Sequence, residues 1–233
     1  MTLPAPAPVS STGRIFFGIN AASAWLGLAV SLVLTVFAVY PNTETVTTIV
    51  GFNQPGLAGL PGRVFDYMGY FTQLSNLVVA IVMTLLWRNS ARTSRLFAVL
   101  RLDSLIMITV TGLVFAIVLA PNADLVGWQY VSNSLLHYIT PPLTVLVFIL
   151  FGPRGMVRPR NVLPALILPV AWIGFALVRG AVIGAYPYGF IDVAVHGYGT
   201  VMVNIAGIFV LGVLIGLLFC GIEALMRRAS SRH

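Results

Sequence analysis

The sequence predicts an all-α membrane protein, a bundle of six transmembrane helices with both termini cytoplasmic, and three observations carry that prediction. First, 58% of the 233 residues are hydrophobic, 8% are charged and mean hydropathy is +0.96, which leaves too little polar surface to cover a soluble globule. Second, six apolar stretches, residues 15–40, 64–87, 102–120, 130–151, 162–183 and 198–226, match a hydrocarbon core that needs about twenty helical residues. They are continuous and not alternating, which excludes a closed barrel. Third, the arginines fall on alternate sides. Arg14, then Arg88, Arg92, Arg95 and Arg101, then Arg154, Arg158 and Arg160, then Arg227, Arg228 and Arg232 mark one side, whereas the opposite loops hold only Arg63. Short cytoplasmic loops collect such charge.

Taken in order, residues 1–13 read as a disordered tail with no signal peptide, residues 14–227 as the six-helix domain, and residues 228–233 as a basic tail. The first outer loop, from Asn42 to Gly62, is rich in Gly and Pro, with an extended stretch from Thr45 to Val50. It reads as a connector or as a lid over the outer face. Pro141-Pro142 in the fourth stretch, and Pro164 and Pro169 in the fifth, predict kinks, because proline removes an amide donor and crowds the preceding turn. The net charge of +7 points to anionic membrane lipids and not to nucleic acid, since the arginines sit at helix ends. The single Cys220 lies inside the last stretch and reads as packing. No internal repeat is visible.

The polar side chains concentrate in the outer half. Counting from Val64, Thr72 lies ~12 Å deep, and counting from Tyr130, His137 lies ~10 Å deep, at about 1.5 Å per residue. Ser75 and Asn76 share a helical stripe with Thr72, and Asn133 and Ser134 share one with His137. Nearby in the outer half fall Asp66, Arg179, Asp192, His196 and Asn204, while Asn20, Asp103 and Glu223 lie toward the cytoplasmic ends. Polar groups inside a bilayer face the bundle interior and mark a site. Each also has a structural reading: Thr72 bonded to its own helix carbonyl, Arg179 snorkelling or paired with Asp192, Asn76 and Asn204 as interhelical glue, Asp66 at a positive helix start.

A threonine hydroxyl becomes nucleophilic when a neighbouring base takes its proton, and neutral imidazole suits that role near neutral pH. Asn133 or Asp192 is available to orient the base, amides from Asn76 or Asn133 to hold an oxyanion, and Arg179 to bind a substrate carboxylate. Neither a G-x-S-x-G nor an H-E-x-x-H pattern is present, so no metal and no cofactor is expected.

Three patches resemble a known family: Tyr70-Phe71-Thr72-Gln73-Leu74-Ser75-Asn76, Leu136-His137-Tyr138-Ile139-Thr140-Pro141-Pro142, and Ala185-Tyr186-Pro187-Tyr188-Gly189-Phe190-Ile191-Asp192. They are similar to segments of the integral membrane threonine hydrolases of the androgen-induced gene family, which includes the androgen-dependent TFPI-regulating protein, and of their bacterial six-helix relatives. The resemblance implies hydrolysis of lipid esters, such as fatty acid esters of hydroxy fatty acids, with Thr72 as nucleophile and His137 as base. For a bacterial member it implies the plasma membrane. Ser75 stays open as an alternative nucleophile. Two other readings remain: a transporter or lipid-binding protein that uses the same pocket without chemistry, and a haem protein ligated by His137 and His196.

Overall fold

The computed structural model describes residues 9–39, 53–54 and 56–230, all in helices, turns and connecting segments, with no strand among them. Six helical stretches are long and apolar enough to cross a membrane, and the chain is an integral multi-pass membrane protein. The predicted extended stretch at 45–50 and residues 1–8 lie outside the described residues.

Helix α1 spans Ser11–Val36 and starts four residues before the sequence boundary, because Ser10 caps it by accepting the Gly13 N–H at 3.1 Å. Residues 11–13, counted with the tail, are therefore helical. The predicted second span is not one helix. It divides into α2, Leu60–Met68, and α3, Phe71–Arg88, with Gly69 and an extended Tyr70 (φ −82°, ψ 136°) between them. Helix α4, Arg95–Val114, is capped by Ser94 and continues into a π-helical stretch, Phe115–Leu119. The fourth span consists of α5, Gln129–Asn133, a second π-helical stretch, Ser134–Ile139, and α6, Thr140–Phe151. Pro141 and Pro142 have no N–H to give to the carbonyls of the preceding turn, and the π stretch lies directly before them. In the fifth span, α7, Val162–Ala165, breaks at Leu166 before α8, Ile167–Ile183. Pro169 supplies the reason, since it cannot bond the Ala165 carbonyl. Helix α9, Val193–Ser230, is interrupted at Gly197 (φ 71°) and runs into the predicted basic tail.

Helix α4 is the axis of the bundle. It packs on α3 and α6 on one side and on α7 and α9 on the other, and Leu102, Leu105, Met107 and Ile108 are fully enclosed. Three apolar clusters result, one among α1, α3, α4 and α6, one among α4, α6, α7 and α9, and one between α8, α9 and the segment joining them; Phe71 touches all three. Polar groups bridge the helices: Asn20 donates to Thr144 at 3.1 Å, Tyr67 to the Leu28 carbonyl at 2.8 Å and Trp25 to Thr84 at 3.1 Å. The apolar faces of α8 and α9 stay exposed, Val182 at 80% and Val203 at 71% among them, as a hydrocarbon-facing surface requires.

The arginines are used inside as well as at the ends. Arg63 is 4% exposed, and its guanidinium donates to the carbonyls of Thr35 and Val36 at the end of α1 and to those of Gln54 and Gly56. The α1 carbonyls are among the last of their helix, which an intrahelical N–H does not reach, and the turn supplies only the Ala38 N–H to Thr35 at 3.2 Å. Arg101, counted among the loop arginines, is buried on α4 and donates to Pro153. At the same end Glu223 accepts the Gly155 N–H beside Arg154. Replacing Arg63 by Ala leaves the carbonyls it bridges without that donor, so Arg63→Ala is expected to cost about 3 kcal/mol. Denaturant unfolding in detergent measures the loss; an unchanged midpoint would show that water replaces the guanidinium freely.

Candidate functional site

The site begins at the break between α2 and α3. A helix leaves its first N–H groups without intrahelical partners; here the Tyr70 carbonyl, which takes the Leu74 N–H at 3.2 Å as the first regular bond of α3, also accepts the Gln73 N–H at 3.1 Å. The Thr72 N–H instead donates to the hydroxyl of Tyr188 at 3.2 Å, and the Thr72 and Tyr188 hydroxyls are 3.3 Å apart. Thr72 is thus the second residue of α3 and not eight residues inside a longer helix. The helix break places Thr72 at the start of α3, where it and His137 line the same cavity.

Behind Thr72 the polar stripe is committed to main-chain bonding. The Thr72 carbonyl accepts from the Ser75 hydroxyl at 3.0 Å and from the Asn76 amide at 2.9 Å, and Ser75 accepts from Thr111 of α4 at 2.8 Å. The same Asn76 nitrogen donates to the Leu136 carbonyl at 3.3 Å. One amide therefore ties the turn that carries Thr72 to the turn that carries His137. Its two N–H groups are both occupied, which removes Asn76 as an oxyanion donor. Ser75 is fully enclosed and lies outside the cavity lining.

His137 sits on the π-helical stretch, its ring stacked on Phe115 at 3.9 Å between centroids and 19° between planes. Its Nδ1 is buried and has no hydrogen-bond partner among the described residues. Thr72 and His137 line one small cavity, with ≈ 60 Å³ of room for the centres of water-sized molecules, together with Phe71, Thr111, Trp172, Tyr188 and Phe190 and surrounding aliphatic residues. The lining carries no Arg, Lys, Asp or Glu. No hydrogen bond joins Thr72 to His137; the hydroxyl's partner is Tyr188.

Tyr188 belongs to the segment between α8 and α9. Gly184 ends α8 in the left-handed conformation (φ 70°), which glycine adopts without strain. Gly180 lets the Tyr186 ring close onto α8, where a Cβ would stand 2.1 Å from that ring. Asn204 of α9 pins the segment by donating to the Phe190 carbonyl at 2.8 Å. Tyr188 then stacks with Phe190 at 5.4 Å and meets Tyr70 at 5.8 Å edge-on, and neighbouring Trp172 donates to the Gly69 carbonyl at 2.9 Å. Burial raises the Tyr188 phenol above the usual tyrosine range, against the opposing pull of the hydrogen bonds from Thr72, so it stays protonated at neutral pH. Nothing in the sequence separates Tyr188 from Tyr186 two residues before it; only the fold brings the Tyr188 hydroxyl to Thr72.

The remaining predicted residues serve elsewhere. Asn133 is half-buried on α5 and outside the cavity lining. Asp192 accepts the N–H groups of Ala194 and Val195 at 2.9 and 3.2 Å and so holds the first turn of α9. Arg179 pairs with buried Asp66, where the sequence had offered Asp192, and lies over the Phe65 ring at 5.1 Å, away from the cavity. His196 is exposed at the head of α9. No group of three or more His, Cys, Asp or Glu side chains able to hold a metal ion occurs among the described residues. Comparison with protein-family models, with curated proteins and with solved structures finds no match to this chain.

Burial pushes the Asp66 carboxyl above the usual aspartate range, opposed by the Asn53 hydrogen bond and the Arg179 charge. An acid whose folded state holds its proton more tightly than the unfolded chain stabilises the fold most at low pH, and that contribution is lost as pH rises through the aspartate range. Arg179→Ala removes the opposing charge and enlarges the effect. It is expected to cost about 3 kcal/mol when Asp66 is ionised and much less when it is protonated, so thermal unfolding in detergent should show a larger deficit at about pH 8 than at about pH 4. Equal deficits would mean that Asp66 is neutral throughout.

Proposed function

We propose that this protein is an intramembrane hydrolase of lipid esters, with Thr72 as nucleophile and His137 as base. The observation that carries the reading is the convergence of a helix-terminal hydroxyl and an unpartnered imidazole nitrogen on one apolar cavity. The likeness of three sequence patches to the androgen-induced gene family supports the same roles. His137 accepts the Thr72 hydroxyl proton as Oγ1 bonds to the ester carbonyl carbon. Collapse breaks the bond to the leaving alcohol, which takes the proton from the imidazolium. Water, deprotonated by His137, then releases the acyl group as a carboxylic acid and restores Thr72.

The uncharged lining suits the neutral acyl and ester portions of such a substrate. Both termini are cytoplasmic in this reading, since the arginine-rich ends lie opposite the cavity, and the cavity is filled from the outer leaflet. In a bacterium that membrane is the plasma membrane. One observation favours the non-catalytic alternative, lipid binding or transport: Thr72 bonds to Tyr188 and not to His137. Catalytic hydrogen bonds that are open in an empty site commonly tighten when substrate is bound, so the alternative is the weaker of the two.

A fluorophosphonate probe applied to membranes separates the readings. Wild type is expected to label, Thr72→Ala and His137→Ala to lose labelling, and enclosed Ser75→Ala to retain it. An unlabelled wild type, or alanine variants that label as strongly, would replace the hydrolase reading with lipid binding. Because Arg179 is engaged with Asp66, Arg179→Ala should change turnover of free-acid substrates and of their methyl esters equally; a selective loss of the free acids would return Arg179 to the binding site.

A further inference from the structure

A tetrahedral intermediate on Thr72 needs donors for its oxyanion, and removing one such donor commonly costs about 100-fold to 1,000-fold in rate. Most side-chain donors near Thr72 are already spent. Both Asn76 N–H groups serve the Thr72 and Leu136 carbonyls, the Thr111 hydroxyl donates to Ser75, and the Trp172 ring N–H donates to Gly69. Among the polar side chains lining the cavity, that leaves His137, which the proposed reaction uses as base, and Tyr188.

The Tyr188 oxygen lies 3.2 Å from the Thr72 nitrogen and 3.3 Å from Thr72 Oγ1. A second oxygen thus already occupies the place beside the nucleophile toward which the first-turn N–H points. The oxyanion of a Thr72 adduct is two bonds from Oγ1, within reach of both the Thr72 N–H and the phenol beside it. Helix N-termini favour negative charge there.

We propose that Tyr188 is a further catalytic residue of the hydrolase reading, on which this inference rests: its phenol O–H and the Thr72 N–H are the donor pair that receives the oxyanion. In the empty site the phenol oxygen accepts the Thr72 N–H. When Oγ1 attacks, the carbonyl electron pair moves to oxygen, that oxygen takes the Thr72 N–H from the phenol, and the phenol turns its own proton toward it. On collapse the pair returns to carbon, the leaving group departs, and both donors revert. Tyr188 transfers no proton; it donates a hydrogen bond. The contacts with Tyr70, Phe190 and Trp172 hold the ring on a rigid frame, so the donor needs little reorganisation.

The test uses purified full-length protein in detergent with p-nitrophenyl decanoate, a neutral long-chain ester. Tyr188→Phe keeps the ring and its packing. It is expected to lower kcat about 100-fold to 1,000-fold with KM unchanged, and to weaken a trifluoromethyl ketone, which forms an oxyanion on Thr72, by a similar factor. Affinity for a non-hydrolysable ether analogue of the ester should not change. A merely structural tyrosine would weaken ether and ketone alike. That outcome, or a kcat close to wild type, overturns the role of Tyr188 while leaving the hydrolase reading intact if Thr72→Ala is inactive. A wild type with no esterase activity overturns both.

Discussion

A main-chain break inside a bilayer-embedded bundle has to be bonded within the protein, and the break at Gly69 and Tyr70 is the constraint on which this site depends. An uninterrupted helix would bond the N–H groups of α3 to their own chain. The break frees them, and the protein answers with the Tyr70 carbonyl, the Tyr188 hydroxyl and, for the Gly69 carbonyl, the Trp172 ring. Thr72 gains its position as a by-product. It stands at a positive helix end, with its hydroxyl toward a cavity, because the chain could not continue straight through it.

The same economy governs the other polar groups. Asn76 spends its amide on two carbonyls from different spans, and Ser75 and Thr111 extend that bonding to α4. Arg63 closes the end of α1, Arg179 neutralises Asp66, and Arg101 reaches Pro153. These bonds fix where α1, α3, α4 and α6 lie relative to one another, and they are directional where apolar packing is not. The cavity is left where they end, between this laced half and the loosely packed α8 and α9. His137 borders it on a π-helical stretch, a geometry that widens the helix and is frequent at functional sites.

Hydropathy and proline positions read well in the sequence because both act locally. The six spans are the observed stretches, although two of them start seven residues from the expected ends (residue 64 against Phe71, residue 102 against Arg95), and helix interruptions fall before Pro141 and before Pro169. The α2 to α3 break did not read out. Residues 64–87 contain no proline, and a lone glycine is tolerated in membrane helices; contacts with Trp172 and Tyr188, about 100 residues away in the chain, hold the break open. Arginine counting could not tell Arg63 or Arg101, buried as main-chain donors, from arginines at the surface.

By itself the sequence determined an all-helical, six-span membrane chain, the run of residues around Thr72 and the histidine that shares its cavity. Those follow from composition, from charge placement and from local side-chain chemistry. Only the tertiary structure decided that Asn76 is a clamp, that Arg179 belongs to Asp66 and that Tyr188 stands against Thr72. Hydrogen-bond partners across helices depend on how each helix is rotated and where it breaks, and no span carries that information alone.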